Sequence, residues 1–105
     1  MRIDKLAHYQ EAVRKEKQRL AALSPAELRA LPESKTVHRK IDDVDVDVTI
    51  YREQRKDSVC LIVAQAFRPW FRWLSSAGNM LVEGFILKAD NAIAEPADKD
   101  LWDYT

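Results

Sequence analysis

The chain has 105 residues, with 17 basic side chains against 17 acidic ones for a formal net charge of zero, and it contains two glycines and one cysteine. A chain of this length buries roughly two-thirds of its unfolded surface, enough for a single domain over residues 1–105 without a disulfide or a structural metal. The balanced charge excludes a global field that would draw the protein onto nucleic acid or an anionic membrane, so any such binding would rest on a local patch.

The N-terminal MRIDKLAHY is charged and lacks the apolar core of a secretory signal. No stretch approaches the eighteen or so uncharged residues of a membrane span. With one cysteine, Cys60, that has no internal partner, the expected setting is the reducing cytoplasm.

Residues 4–22 contain neither Gly nor Pro and are rich in helix formers, which predicts a helix. Ile3, Leu6, Ala7, Val13, Leu20 and Ala21 follow the three-and-four spacing of a thin apolar stripe, interrupted by Gln10 and Lys17. Arg14, Lys15, Lys17 and Arg19 read either as a nucleic-acid face or as solvated surface. Glu11 and Glu16 dilute them, which favours the solvated surface.

Ser24-Pro25-Ala26-Glu27 is a helix-start signature, with Ser24 as the cap, Pro25 in the first position and Glu27 placed to bond back. A short second helix follows, and Pro32 stops it. Leu28 and Leu31 are its expected anchors to the core.

Residues 36–41 and 44–51 read as a hairpin around Asp42-Asp43, short polar residues that tolerate the positive φ of a two-residue turn. Val44, Val46, Val48 and Ile50 alternate with Asp45, Asp47, Thr49 and Tyr51, the period of a strand with one buried face. Setting Ile41 against Val44 places Lys40 by Asp45, His38 by Asp47 and Val37 by Val48. Only Arg39 against Val46 fits badly.

Residues 59–67, VCLIVAQAF, suit a strand covered on both faces. A four-residue loop at residues 54–57 predicts Ile50 opposite Leu61 and Val48 opposite Val63. Cys60, Ile62, Ala64 and Ala66 then form a second apolar face that needs a cover. Residues 80–87, MLVEGFIL, read as a fourth strand, with Gly84 marking a bulge or a close backbone approach. Asp90-Asn91 suggests a turn, residues 92–94 a brief fifth strand, and residues 98–104 either one helical turn laid on the body or a frayed tail. The expected fold is therefore α+β, with one long and one short N-terminal helix packed on a four- to five-stranded antiparallel meander. Many unrelated small bacterial proteins share that layout, and it carries no function by itself.

Three groups invite a chemical reading. Asp43, Asp45 and Asp47 offer oxygen ligands, but carboxylates about 7 Å apart along a straight strand splay and do not converge on one ion. His38 beside Asp47 is a potential general base without a nucleophile, since Cys60 lies among apolar residues and Ser75 and Ser76 sit in no nucleophile elbow. The two glycines, Gly78 and Gly84, exclude phosphate-cradling loops. No enzyme activity, catalytic residue, cofactor, metal or small-molecule substrate is therefore expected.

The segment Arg68-Pro69-Trp70-Phe71-Arg72-Trp73 does ask for an explanation. Arg68, Trp70, Phe71, Arg72 and Trp73 are the residue types that dominate binding hot spots. They fit a contact surface for a protein partner or a second copy of the chain, a lid folded over the apolar face, or, as the alternative, stacking on single-stranded nucleic acid. The expected function is a self-associating protein-interaction module.

Overall fold

The computed structural model describes residues 2–67 and 80–104. The elements run α1 (Arg2–Ala21), α2 (Pro25–Arg29), β1 (Ser34–Ile41), β2 (Val44–Gln54), β3 (Cys60–Phe67), β4 (Met80–Leu87), β5 (Ile93–Ala94) and α3 (Asp98–Leu101), with a 3-10 turn at Lys56–Ser58 and another at Trp102–Tyr104. The five strands form one antiparallel sheet in the order β1-β2-β3-β4-β5. This is the expected α+β meander, with α1 laid across β1 to β4.

Local chemistry explains the turns. Ser24 Oγ accepts from the Glu27 amide at 3.2 Å, and Glu27 Oε1 accepts from the Ser24 amide at 3.0 Å, a complete capping box. Asp42 and Asp43 take φ of 49° and 68°, the left-handed pair that a two-residue hairpin requires. The β1–β2 register is the predicted one, with Ile41 opposite Val44 and His38 opposite Asp47. Arg29 ties α2 to the sheet, donating to the Ser58 carbonyl at 2.6 Å and the Lys88 carbonyl at 2.9 Å.

The β2–β3 register differs from the expectation. Ile50 lies opposite Ala64 and Val48 opposite Ala66, so the strands are shifted by three residues from the predicted pairing. The cause is the turn. β2 continues to Gln54, and the reversal is made by a 3-10 turn in which Asp57 and Ser58 adopt φ of 59° and 63°. Because side chains alternate with a period of two, an odd shift exchanges the faces of β3. Cys60, Ile62, Ala64 and Ala66 therefore join Val46, Val48 and Ile50 beneath α1, and Leu61 and Val63 turn to the far face.

The helix seam is also displaced from the expected stripe. Tyr9, Ala12, Val13, Glu16 and Leu20 are buried, whereas Ala7 and Ala21 are exposed. Glu16, expected on the solvated surface, is buried instead, because Arg39, the misfit of the hairpin, reaches up to it from β1. Its Nε and Nη2 donate to the two Glu16 carboxylate oxygens at 2.8 and 3.1 Å, and Arg19 adds a third bond at 2.8 Å. Burial works to raise the Glu16 carboxyl, but Arg39 and Arg19 outweigh it and hold the group below the usual carboxylate range.

Gly84 is a close approach without a bulge, since β3 and β4 pair continuously. A Cβ there would lie 2.8 Å from the Ile62 carbonyl oxygen and 3.3 Å from Leu101 Cδ2. The neighbour at 3.3 Å belongs to α3, so residues 98–104 form the helical turn on the body rather than a frayed tail.

Gly84→Ala lowers the urea midpoint, with an unchanged slope, by an equivalent of about 1–3 kcal/mol, although alanine normally favours an ordered strand over glycine. Arg39→Ala costs about 3 kcal/mol by leaving the Glu16 carboxylate buried with only the exposed Arg19. Replacing Glu16 and Arg39 together by leucine costs less than the sum of the single replacements, which a double-mutant cycle reads directly.

Candidate functional site

The predicted contact residues Arg68, Trp70, Phe71, Arg72 and Trp73 lie outside the described residues. The described residues on either side of them, the end of β3 and the start of β4, define where the segment is attached. That end of the sheet has an unusual edge. β4 pairs with β3 along its whole length but with β5 only at Ile86 and Leu87. Among the described residues the outer edge of residues 80–85 therefore has no strand partner.

The reason is local. Asp90 and Asn91 turn the chain, with Asn91 at φ 70°, and Pro96 follows only two residues after β5. Of the four residues between Asn91 and Pro96, Ile93 and Ala94 pair with β4. The sequence carried this signal in the short interval between Asn91 and Pro96.

Beside the edge, Gln10, Glu11, Val13 and Arg14 of α1 face Leu81 and Glu83 of β4 across a groove of about 430 Å³. Leu81 and Val82 are half-buried, and Lys17 binds Glu83 at 3.6 Å and Glu95 at 3.4 Å. Three further basic residues of α1 are likewise matched by carboxylates. Arg14 and Lys15 pair with Glu11 at 2.5 and 3.8 Å, and Arg19 pairs with Glu16.

The far face of the sheet is divided. Over β1 and β2 it is polar, with Thr36 against Thr49 and His38 against Asp47. Over β3 and β4 it is apolar, and there α3 and the following turn lie on it. Leu101 rests at Gly84 beside Val63, the Tyr104 ring stands 5.1 Å from that of Tyr51, and the Gln65 amide donates to the Tyr104 carbonyl. This segment thus helps to cover Leu61 and Val63, whereas the face that was expected to need a cover, Cys60, Ile62, Ala64 and Ala66, lies beneath α1.

The remaining sequence candidates do not converge. Both ring nitrogens of His38 meet carboxylates, Nδ1 at 2.7 Å from Asp47 and Nε2 at 3.3 Å from Asp45, and Lys40 reaches Asp45 at 3.9 Å. Cys60 is fully buried, and its thiol donates to Gln54 Oε1 at 3.1 Å. Among the described residues no group of three His, Cys, Asp or Glu side chains is placed to hold a metal ion. Nor is any described helix long and apolar enough to cross a membrane.

The hydrogen bonds to Asp47 and then Asp45 raise His38 above its ordinary value. A raised folded value adds stability below the unfolded pKa of about 6.5, and that stability is lost as pH rises through the folded value. An NMR titration of the His38 ring should therefore show a midpoint above that of a free histidine. Asp47→Asn should bring it down, and an unchanged midpoint would remove the assigned cause.

No protein family, curated protein or solved structure was found to match the chain.

Proposed function

We propose that the chain is a non-catalytic interaction module that self-associates through the β3–β4 end of its sheet. The contact surface is the outer edge of β4 together with Arg68, Trp70, Phe71, Arg72 and Trp73, which precede that strand in the sequence. The observation that carries this reading is the edge itself. An edge without a strand partner is a template for pairing with another chain, the edge of residues 80–85 has none among the described residues, and half-buried Leu81 and Val82 do not defend it with charge.

Edge pairing alone is too small a contact. A stable interface buries on the order of 1,200–2,000 Å² in total, and so short a ladder needs flanking aromatic and arginine anchors to reach it. Nucleic acid as the partner is less well supported. Arg14, Lys15, Lys17 and Arg19, which would extend a binding surface for it, are matched by Glu11, Glu16, Glu83 and Glu95.

Size-exclusion chromatography with light scattering tests the reading. The wild type is expected to run as a dimer. Val82→Lys and the Trp70→Ala, Trp73→Ala double variant are expected to run as monomers with little change in urea midpoint. A monomeric wild type at high concentration would overturn the proposal. Anisotropy with a labelled oligonucleotide should show no binding at low salt, and binding that weakens steeply with salt would favour the nucleic-acid alternative.

A further inference from the structure

Residues 98–104 are fastened to the sheet by a compact set of side chains. Arg55 stands between two carboxylates, its Nε 3.0 Å from Glu53 and its Nη1 2.7 Å from Asp100. The Tyr104 hydroxyl donates to Glu53 at 2.8 Å. The hydroxyl of Tyr104 and the guanidinium of Arg55 hold Glu53 below the usual carboxylate range, and Arg55 does the same for Asp100. Leu101 fills the notch at Gly84.

The connection to the rest of the chain is slight. The backbone ladder nearest to this segment is β5, which ends at Ala94, and Glu95, Pro96 and Ala97 then lead into α3 without regular structure. Three residues span roughly 10 Å when extended. A surface that accepts Asp100, Leu101 and Tyr104 from its own chain accepts them equally from an identical chain, because every contact is reproduced.

We infer that residues 98–104 exchange between two copies of this protein, pivoting at residues 95–97, so that α3 of each copy seats on the surface formed by Tyr51, Arg55 and Gly84 of the other. This rests on the self-association proposed above and supplies its route. Closed and exchanged forms share the same contacts at the seat, so the balance between them is set by strain in the connection, by the entropy of association, and by whatever new contacts the two bodies make. A three-residue connection leaving β5 brings the bodies together along the side that β5 and β4 share. That is the side where, among the described residues, the edge of β4 has no strand partner.

The charged junction allows a complementation test. Arg55→Glu or Asp100→Arg alone sets like charges against each other, both in the closed form and in an exchanged homodimer. When the two full-length variants are mixed, an exchanged heterodimer restores opposite charges at both junctions. Native mass spectrometry should then show the heterodimer in large excess over either homodimer, whereas differently labelled wild-type chains mix statistically. A statistical distribution for the variants would overturn the exchange and leave self-association standing, and monomers throughout, wild type included, would remove both.

A second measurement does not depend on the variants folding. In a dimer of isotope-labelled and unlabelled wild-type chains, exchange predicts an intermolecular nuclear Overhauser effect between the Tyr51 and Tyr104 rings. A purely intramolecular effect overturns it.

Discussion

The structure depends on one constraint, that β3 must be covered on both sides. Residues 60–66 are all buried, with Cys60, Ile62, Ala64 and Ala66 facing one way and Leu61, Val63 and Gln65 the other. A single sheet with one helix on it satisfies only the first set. Alanines at 64 and 66 let α1 come close, and the phenyl ring of Phe85 and the chain of Leu87 fill the space beside them. The second set draws the far-face packing with it: Gly84 supplies the notch, Leu101 fills it, and Gln65 meets the backbone at Tyr104.

Charge then fixes what apolar packing leaves loose. Aliphatic and small side chains tolerate sliding of a helix along a sheet at modest cost, but a carboxylate held by two guanidinium groups does not. Glu16 is the buried acid of the helix seam, and Arg39 comes from the edge strand farthest from β4. Their two-pronged contact anchors α1 at one end of the sheet. At the other end, Lys17 reaches Glu83 and Glu95. Glu16 and Lys17 are consecutive residues, so the two contacts hold one turn of α1 between opposite sides of the sheet.

Much of this was legible in the residues. The capping box at Ser24, the hairpin at Asp42-Asp43, the pairing of β1 with β2 and the close approach at Gly84 all follow from local chemistry. The β2–β3 pairing did not, because its reversal uses Asp57 and Ser58 in the left-handed region, with no glycine to mark the turn length. Arg39 carries the signal for the helix seam: a cation opposite Val46 on the helix side of a sheet requires an acid above it, and Glu16 is that acid. The same inference would have moved the seam of α1 onto Tyr9, Ala12 and Glu16. Of the candidate site, Arg68, Trp70, Phe71, Arg72 and Trp73 lie outside the described residues, and the edge of β4 that has no strand partner among the described residues follows from the brevity of β5, which Pro96 bounds.

The two rims of the sheet are chemically unlike. β1, the outer strand at one rim, displays Lys35, His38 and Lys40 to solvent along its length, and cationic side chains on a border strand discourage further pairing. The opposite rim has no such guard along residues 81 and 82. Any lateral union at the β4 rim buries the unguarded borders and leaves a β1 border facing outward on each side. Growth by that route halts at two subunits, which separates a finite pair from a fibre.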